Sequence, residues 1–262
     1  MSRLLIVLIT GVIVFDIPKL AIDILKAQAS YRDQTNERYI RWTLMNDESL
    51  WSEFYNLLTI EALCPGRVRV GGVEDGGKWL CAPWKVPTNC TIFSVGLMND
   101  VKFEKDLFEK FGLKCGLLGI DQIEQGYLTR STYQKLGGEV VTGVVVSKQE
   151  KGQESPSNQF VLENIVKSHG WKNIDILKID LEAVEYNVLP EFLAIYKPCQ
   201  LLIETHYGIR PTVGFLGKIS VFDYWLYSFE VNDGAFNACE YSFIHQSCLE
   251  HYGAYGLARF LS

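Results

Sequence analysis

From residue 91 onward, short runs of aliphatic residues alternate with stretches in which apolar positions recur at helical spacing. The runs predict strands, because a strand covered by helices on both faces is almost continuously apolar. They lie at residues 91–96, 115–121, 139–146, 174–179 and 200–204, and the predicted helices between them at 103–111, 132–136 and 159–169. A strand–helix–strand order predicts a parallel sheet with right-handed crossovers.

The end of the chain departs from this alternation. A helix broken at Pro190 and a helix over residues 213–229 are predicted, followed by two apolar runs around residues 229–236 and 241–244. These runs are adjacent, which is typical of an antiparallel hairpin at the edge of a parallel sheet. The sequence therefore predicts an α/β fold of three layers, with a mostly parallel sheet and an antiparallel last strand.

The chain before residue 91 is organised differently. Apolar residues recur at loosely helical spacing over residues 30–63, which predicts a helical lead-in to a main domain at 64–262. That domain opens with a short strand at 67–70 and a glycine-rich turn containing Asp75-Gly76-Gly77. Glycines let the backbone of such a turn approach a ligand closely, and a plain hairpin turn explains the same residues equally well.

Residues 1–29 form a third segment. Arg3 is followed by an uncharged apolar run over residues 4–15, which has the length and composition of the hydrophobic part of a secretory signal. Twelve helical residues span only ~18 Å, so the run is short for a membrane crossing. Ala27-Gln28-Ala29 before Ser30 resembles a cleavage site. A cleaved signal peptide and an uncleaved short membrane anchor both remain open, whereas a buried amphipathic helix would include polar positions.

The composition narrows the range of partners and compartments. The 262 residues include 25 Lys and Arg against 31 Asp and Glu, a formal charge of −6 without a basic run, so no nucleic acid partner is expected. The seven cysteines lack the spacing of a zinc site, and no metal site is predicted. Disulfides with one thiol left over would fit a secretory chain, in which Asn89-Cys90-Thr91 would be a glycosylation acceptor.

Two carboxylates, Asp180 and Glu182, directly follow the strand at 174–179. The carboxyl ends of the strands border the ligand crevice in open parallel sheets, so both residues are candidates for a site. Acidic residues also open helices, where they cap backbone amides, and this explanation has equal weight. The strand predicted next to them ends in Glu204 and is followed by His206, so the four side chains can converge on one crevice.

The first two strands of the parallel sheet indicate a ligand. Gly96 ends the first, where a glycine lets the backbone pass close to a ligand, and Asp121 ends the second about 25 residues later, where an acidic residue can bind a ribose diol. The glycines that a dinucleotide's pyrophosphate requires are missing. A nucleoside ligand without phosphates fits better, and S-adenosylmethionine is such a ligand.

Several motifs together resemble those of the FkbM-related, methyltransferase-like proteins of animals. The resemblance covers about residues 64–246. Its motifs are Arg69-Val-Gly-Gly with Asp75-Gly-Gly, Phe93-Ser-Val-Gly with Asp100, Leu177-Lys-Ile-Asp-Leu-Glu-Ala-Val-Glu185, Ile203-Glu-Thr-His206 and Glu240-Tyr-Ser-Phe243. Ala183 stands where the family usually has glycine.

The resemblance implies the class I S-adenosylmethionine-dependent methyltransferase fold, a Rossmann-like sheet of seven strands. It implies an acceptor site with catalytic candidates at Asp180, Glu182, Glu204 and His206. The cofactor-binding candidates are Asp75, Gly76, Gly77, Ser94, Gly96, Asp100 and Asp121.

Methyl transfer from a sulfonium requires an acceptor atom held in line and, for a hydroxyl, a base to take its proton. The sequence therefore predicts a methyltransferase in the secretory pathway, lumenal, membrane-anchored or secreted, that acts on a small-molecule, glycan or protein acceptor. One alternative is a glycosyltransferase-like enzyme in which Asp180-Leu181-Glu182 holds Mn²⁺ for a nucleotide sugar. Another is a binding protein that keeps the fold without turnover.

Overall fold

The computed structural model describes residues 3–8, 11–73, 76–151 and 158–261. Within them the helices are α1 (Ile17–Thr43), α2 (Trp51–Leu57), α3 (Lys102–Phe111), α4 (Tyr127–Lys135), α5 (Leu162–Ser168), α6 (Glu185–Leu193), α7 (Ile209–Val221) and α8 (Leu249–Tyr252). The strands are β1 (Arg3–Leu8), β2 (Gly11–Asp16), β3 (Ala62–Leu63), β4 (Arg67–Val70), β5 (Lys78–Cys81), β6 (Thr91–Val95), β7 (Gly116–Asp121), β8 (Glu139–Thr142), β9 (Val144–Val145), β10 (Gln159–Phe160), β11 (Ile176–Ile179), β12 (Gln200–Thr205), β13 (Tyr224–Asn232), β14 (Ala235–His245) and β15 (Tyr255–Gly256).

Seven of these strands form the central sheet, in the order β13–β14–β12–β11–β6–β7–β8. The five strands from β12 to β8 are parallel to one another, and β14 is antiparallel to both of its neighbours. The predicted α/β fold with an antiparallel last strand is therefore confirmed, and the two late apolar runs form the predicted hairpin at one edge of the sheet.

Alternate residues of the strands pack on opposite faces of the sheet. Phe93 of β6 belongs to the core cluster that also contains residues of α5, α6 and α7, whereas its neighbour Ile92 belongs to the cluster with residues of α3 and α4. Helices therefore cover both faces, which gives the predicted three layers. Trp42 of α1 and Phe54 of α2 stack on each other and join the first cluster, so the helical lead-in packs on the main domain.

The predicted helix over residues 213–229 is wrong in its second half. Helix α7 ends at Val221, Asp223 adopts a left-handed conformation (φ 64°), and the chain enters β13 at Tyr224. The aromatic residues that follow favour a strand, because they pack well on a pleated, half-buried surface. Apolar residues continue from α7 into β13 almost without interruption, so the hydrophobic pattern alone does not mark the end of the helix.

Three other boundaries also differ from the predictions. The strand predicted at 139–146 is divided at Gly143, where a Cβ would lie 2.2 Å from the ring of Phe160. Phe160 itself lies in β10, which pairs with β9, so the helix predicted from residue 159 begins only at Leu162. Pro190 lies inside α6 without ending it, because the helix buries Val188, Leu189, Phe192 and Leu193 around it.

The N-terminal segment forms an antiparallel hairpin of β1 and β2, and α1 then runs continuously across the predicted boundary between residues 29 and 30. In the described part of the chain, the helices lack the combination of length and apolar character that a bilayer crossing requires.

Three disulfides join residues at the amino edge of the sheet, the side on which the parallel strands begin. One joins Cys90, which precedes β6, to Cys115, which precedes β7. Another joins Cys199, which precedes β12, to Cys248. The third disulfide, between Cys64 and Cys81, lies nearby, because Gln200 at the start of β12 hydrogen-bonds to the backbone of Cys81. Cys239 is the remaining cysteine, a buried free thiol.

Candidate active site

A crevice opens at the carboxyl edge of the sheet, where β6, β7 and β11 end side by side. Four residues predicted from the sequence line it, namely Gly96, Asp121, Asp180 and Glu182. The rest of its lining is Met98, Gln122, Gly143, Val144, Val145, Leu181 and Val184. The carboxylates thus share the crevice with apolar side chains, a combination that suits an amphipathic ligand.

Gly96 is required by the close approach of two strands. It has a left-handed conformation (φ 79°), and a Cβ on it would lie 1.7 Å from the carbonyl oxygen of Asp180. Any side chain at this position would push β6 and β11 apart at the point where both enter the crevice.

Asp121 shapes the loop after β6. Its Oδ2 accepts hydrogen bonds from the backbone amides of Leu97 (2.7 Å) and Met98 (2.8 Å), and its Oδ1 accepts from the amide of Ile123 (2.9 Å). The side chain is 3% exposed. Three amide donors stabilise the buried charge and fix the loop against the end of β7.

The loop adopts glycine-like conformations without glycine. Met98 and Asn99 both have positive φ, 48° and 60°, which costs a side-chain-bearing residue about 1–2 kcal/mol. Gln125 offsets part of this cost by accepting a hydrogen bond from the amide of Asn99 (2.7 Å), while the side chain of Asn99 accepts from the amide of Gly126 (2.6 Å). Side-chain hydrogen bonds therefore hold a loop in which glycines are scarce.

Asp180 and His206 form a pair at the other end of the crevice, where Nε2 of His206 lies 3.0 Å from Oδ1 of Asp180. This hydrogen bond and the charges of the nearby carboxylates raise the pKa of His206 to about 9, against the effect of burial. Burial raises the pKa of Asp180, but the hydrogen bond from His206 and the charges of Lys78 and Lys178 outweigh it, so that pKa is lowered. At neutral pH the pair is an imidazolium and a carboxylate.

Glu204 connects this pair to a row of carboxylates that crosses the sheet. Glu204, Glu240 and Glu230 are directly opposite one another on β12, β14 and β13. Like charges in such positions repel. Lys78, 2% exposed, lies between Glu204 and Glu240, with its Nζ 3.1 Å from Glu204 and in contact with Glu240. Burial would lower the pKa of Lys78, but the two carboxylates raise it, so the lysine is charged.

Arg69 pairs with the last member of the row, Glu230, at 3.0 Å. Burial and the charge of Glu204 raise the pKa of Glu240, although Lys78 opposes them. Glu204 also lies 3.7 Å from Nε2 of His206. The β4–β5 hairpin thus supplies the cations that keep Glu204 in place beside His206.

Glu182 lies on a strained turn at the crevice mouth. Glu182 and Ala183 both have left-handed conformations, φ 49° and 82°. Glycine would adopt either conformation without steric cost, whereas a side chain is strained there. The Glu182 side chain is 71% exposed, with one oxygen 3.8 Å from Nδ1 of His206. Asp180, Glu182 and His206 can each present one ligand atom within 4.8 Å of the others, the spacing of a cation site.

Glu185 follows this turn and begins α6. It is fully buried, and the backbone amides of Glu185 and Ala183 act on its carboxylate as hydrogen-bond donors. Burial raises its pKa to about 7, and the charges of His206 and Asp180 act on it in opposite directions. Glu185 is therefore a buried acid that interacts electrostatically with the Asp180–His206 pair.

Ser94 lies away from the crevice, fully buried inside the sheet. It is directly opposite Lys178 on one side and Gly119 on the other, and the ring of Tyr133 packs where a Cβ on Gly119 would lie. Lys178 pairs with the buried Glu104 of α3 at 3.6 Å. The predicted cofactor-binding residue Ser94 thus belongs to a buried polar cluster on the face covered by α3 and α4.

The glycine-rich turn connects the antiparallel strands β4 and β5. Gly76 has a positive φ (83°) and lies against Asp100, since a Cβ on it would meet that carboxylate at 2.9 Å. Asp100 also accepts a hydrogen bond from the amide of Lys102 at the start of α3, and Gly77 packs against Arg69. The structure thus groups Gly76, Gly77 and Asp100 together and apart from the residues that line the crevice, while Asp75 lies outside the described residues.

Sequence reasoning missed Lys78, Gln125 and the role of Glu240. Lys78 stands at the start of a strand of otherwise apolar residues, and a lysine in such a position is normally assigned to the surface. Glu240 occurs in one of the family-like motifs, but its partner in the sheet becomes evident only once β14 is aligned with β12. These partners depend on the pairing of strands that are distant in sequence, which the local sequence pattern does not reveal.

Comparison with known proteins includes a family model that matches most of the chain. The model of a family described as a methyltransferase domain matches residues 11–245. Among solved structures, fibrillarin from Aeropyrum pernix, crystallised with natively bound S-adenosyl-L-methionine, has 8% identity and a TM-score of 0.42, over 69% of this chain and 84% of its own. A candidate O-methyltransferase from Klebsiella pneumoniae has 10% identity and a TM-score of 0.39, over 59% and 73%. None of the curated proteins compared with the chain matches it.

Proposed function

The chain belongs to the family of methyltransferase domains whose model it matches, and on that premise we propose that it transfers a methyl group from S-adenosylmethionine to a small-molecule, glycan or protein acceptor in the secretory pathway. The observation that carries the proposal is the crevice at the carboxyl edge of the sheet, in which Gly96, Asp121, Asp180 and Glu182 meet. The narrower kinship with FkbM-related proteins remains part of the proposal.

The residues of the crevice fit the cofactor. The apolar side chains of Met98, Val144 and Val145 can cover an adenine ring, and Gln122 beside Asp121 offers polar groups toward a ribose. Asp180 at the opposite end has a carboxylate for the ammonium of the methionine part. When bound, the cofactor supplies an activated methyl group on a positively charged sulfur.

The chain's own residues divide the remaining tasks. His206 holds a proton at neutral pH and orients Asp180, so it is poorly suited to take another proton there. Glu182 is exposed at the crevice mouth and can reach an acceptor group. We assign to Glu182 the removal of a proton from the acceptor, and to Asp180 the binding of the cofactor's cationic end.

The cysteines support the proposed compartment. Three disulfides are characteristic of chains that fold in an oxidising environment, and six of the seven cysteines take part in them. Asn89, in the acceptor tripeptide for glycosylation, is exposed. Both features support entry into the secretory pathway, with the apolar run at residues 4–15 as its signal or anchor.

Calorimetric titration of the whole chain with S-adenosylmethionine, its demethylated product and UDP-sugars tests the proposal. We expect binding of the first two without added metal. Asp180→Asn should weaken this binding, whereas Glu182→Gln should leave it nearly intact and lower methyl transfer to a panel of hydroxyl and amine acceptors by ~10²–10⁴-fold. Glu109→Gln on the exposed face of α3 is the matched control.

Metal-dependent binding of a UDP-sugar, with no response to S-adenosylmethionine, would replace the methyltransferase by a glycosyltransferase-like enzyme. Binding of the cofactor without production of its demethylated form from any acceptor would instead indicate a binding protein.

A further inference from the structure

We propose that Tyr207 binds a sugar ring, and that the methyl acceptor is therefore a hydroxyl of a neutral glycan. The inference deepens the proposed function and rests on it for the use made of the hydroxyl. The binding of the sugar itself depends only on the side chains around Tyr207, so it can be measured without turnover.

Tyr207 lies on the loop that joins β12 to α7, directly after His206. It is 49% exposed. The Nδ1 atom of His206 lies 3.8 Å from a carboxylate oxygen of Glu182, which is exposed at the crevice mouth. Val184, two residues after Glu182, lines the crevice and is also exposed. The crevice mouth therefore combines an aromatic ring, an apolar side chain and a carboxylate.

The ring of Tyr207 is supported from inside the protein. Its centroid lies 5.2 Å from that of Tyr186, whose ring stacks on Phe215 at 4.3 Å. The hydroxyl of Tyr186 lies 2.9 Å from that of Thr212, which donates to the carbonyl oxygen of Gly208 at 2.8 Å. Helices α6 and α7 thus hold both the ring and the residue that follows it. Because a ring held in this way loses little conformational entropy on binding, its exposed surface is preorganised for a ligand.

The helical lead-in fixes the same loop from another side. Both carboxylate oxygens of Glu48 accept a hydrogen bond from the backbone amide of Ile209, at 2.9 and 3.2 Å. Gly208 packs against this carboxylate, since a Cβ on it would lie 2.6 Å from a Glu48 oxygen. The loop is therefore held at both its inner and its outer side, and Tyr207 is exposed on a fixed backbone.

The groups at the crevice mouth match the chemistry of a sugar. A pyranose ring has a face of C–H groups and a rim of hydroxyls. The hydrogens of the C–H face carry partial positive charge, which the negative face of an aromatic ring attracts. The hydroxyls can donate hydrogen bonds to an exposed carboxylate. Tyr207 and Glu182 offer these two contacts.

A peptide acceptor is less suited to this place. Extended peptides bind along the free edge of a sheet, and helical peptides bind in a long apolar groove. The mouth is formed where β11 and β12 end, and both strands have a hydrogen-bonded neighbour on each side. A flat ring beside a carboxylate at the ends of interior strands favours a compact ligand with hydroxyl groups.

The charges at the mouth favour a neutral glycan over an acidic one. The imidazolium of His206 is paired with Asp180, and Lys78 is paired with Glu204. Glu182, by contrast, is 71% exposed. Its negative charge repels the sulfate or carboxylate of an acidic sugar, whereas it accepts a hydrogen bond from a hydroxyl.

The reaction is then the formation of a methyl ether on the glycan. The hydroxyl oxygen of the sugar bound at Tyr207 forms a bond to the methyl carbon, the carbon–sulfur bond breaks, and its electron pair remains on sulfur as the neutral thioether of S-adenosylhomocysteine. The proton of the hydroxyl passes to the carboxylate of Glu182.

An array of immobilised oligosaccharides, neutral, sialylated and sulfated, tests the inference with the fluorescently labelled whole chain, without and with S-adenosylhomocysteine. We expect binding to a set of neutral glycans and weaker binding to their acidic counterparts. Tyr207→Ala should bind these glycans about 10-fold more weakly, whereas Tyr207→Phe, which keeps the ring, should bind like the wild type. Tyr255→Ala, at an exposed tyrosine of β15, is the matched control.

Methyl transfer to the glycans that bind tests the use of the hydroxyl. Tyr207→Ala should raise the KM for the glycan about 10-fold with a smaller change in kcat, because the ring contacts the sugar and not the reacting proton. Since Tyr207 is exposed, the unfolding temperature of this variant should stay close to that of the wild type.

The inference would be overturned by a wild-type chain that binds none of the glycans, by equal binding of Tyr207→Ala, or by preference for the acidic glycans. Methylation of peptides or of small alcohols in place of glycans would also contradict it. Titration of the same samples with S-adenosylmethionine separates the two proposals. Cofactor binding without glycan binding would remove the glycan and leave the methyltransferase, whereas glycan binding without cofactor binding would do the reverse.

Discussion

Asp121 and Asp180 occupy equivalent places, at or just beyond the ends of the two strands that flank β6, yet they are held in different ways. Asp121 accepts hydrogen bonds from three backbone amides and is part of the loop that it shapes. Asp180 is bound by a side chain, His206, that can rotate or lose a proton. Asp121 therefore fixes the architecture of the crevice, while Asp180 is free to exchange partners during a reaction.

Replacement of Asp121 should lower the stability of the fold far more than replacement of Asp180. Asp121→Ala leaves the amides of Leu97, Met98 and Ile123 without their acceptor, and we expect the free energy of unfolding to fall by about 2–4 kcal/mol. Binding of S-adenosylmethionine should weaken as well, because the loop after β6 loses its anchor. Urea denaturation and calorimetry measure the two effects.

Asp180→Ala is the matched control for that experiment. It removes a carboxylate bonded to one partly exposed histidine, and we expect about 1 kcal/mol or less of lost stability together with the larger loss of cofactor affinity. Equal losses of stability in the two variants would mean that the two acids serve the same purpose.

The stability that the His206–Asp180 pair contributes should depend on pH. The pKa of His206 is raised from 6.5 to about 9 in the folded chain, so its pairing with Asp180 stabilises the fold fully below about pH 6.5, and this stabilisation is lost as the pH rises through about 9. We expect His206→Gln to be about 1 kcal/mol less stable than the wild type at pH 6, because the pair is partly exposed. The difference should shrink at pH 10.

Thermal unfolding across this pH range provides the measurement, and His251→Gln, at an exposed histidine, reports the effect of losing an imidazole elsewhere. A stability difference that grows with pH would contradict the ion pair.

The smallest expected effect concerns the turn between the acids and α6. Ala183→Gly should stabilise the chain by about 0.5–1 kcal/mol, because glycine adopts the φ of 82° without steric cost, although it gains entropy when unfolded. Ala194→Gly, at a residue with an ordinary helical φ of −64°, should destabilise it. A loss of stability from both changes, followed by the unfolding temperature, would show that the turn is relaxed with alanine.

The central sheet could be predicted because its strands are short, almost wholly apolar and separated by helical spacing. The prediction failed where an apolar run continues from one element into the next, as between α7 and β13, because the hydrophobic pattern then does not mark the boundary. Of the candidate site, the residues at the ends of strands could be predicted, since a parallel sheet brings its strand ends together.

The partners of those residues could not be predicted. Lys78 reaches Glu204 across 126 positions of the chain, and Glu240 meets both through the pairing of β14 with β12. The hydrogen bonds of Asp121 to the loop depend on the left-handed conformations of Met98 and Asn99, and the sequence did not predict these conformations. Such contacts are set by the tertiary fold.

The positions of the disulfides have a mechanical consequence. All three lie at the edge of the sheet where the parallel strands begin, opposite the crevice. In the described part of the chain, the crevice edge has no disulfide and is held together by hydrogen bonds, ion pairs and apolar packing. The disulfides fix the spacing of the strands where they begin. The carboxyl ends of the strands have no such covalent links, so a ligand can draw these ends together with little resistance from the disulfides.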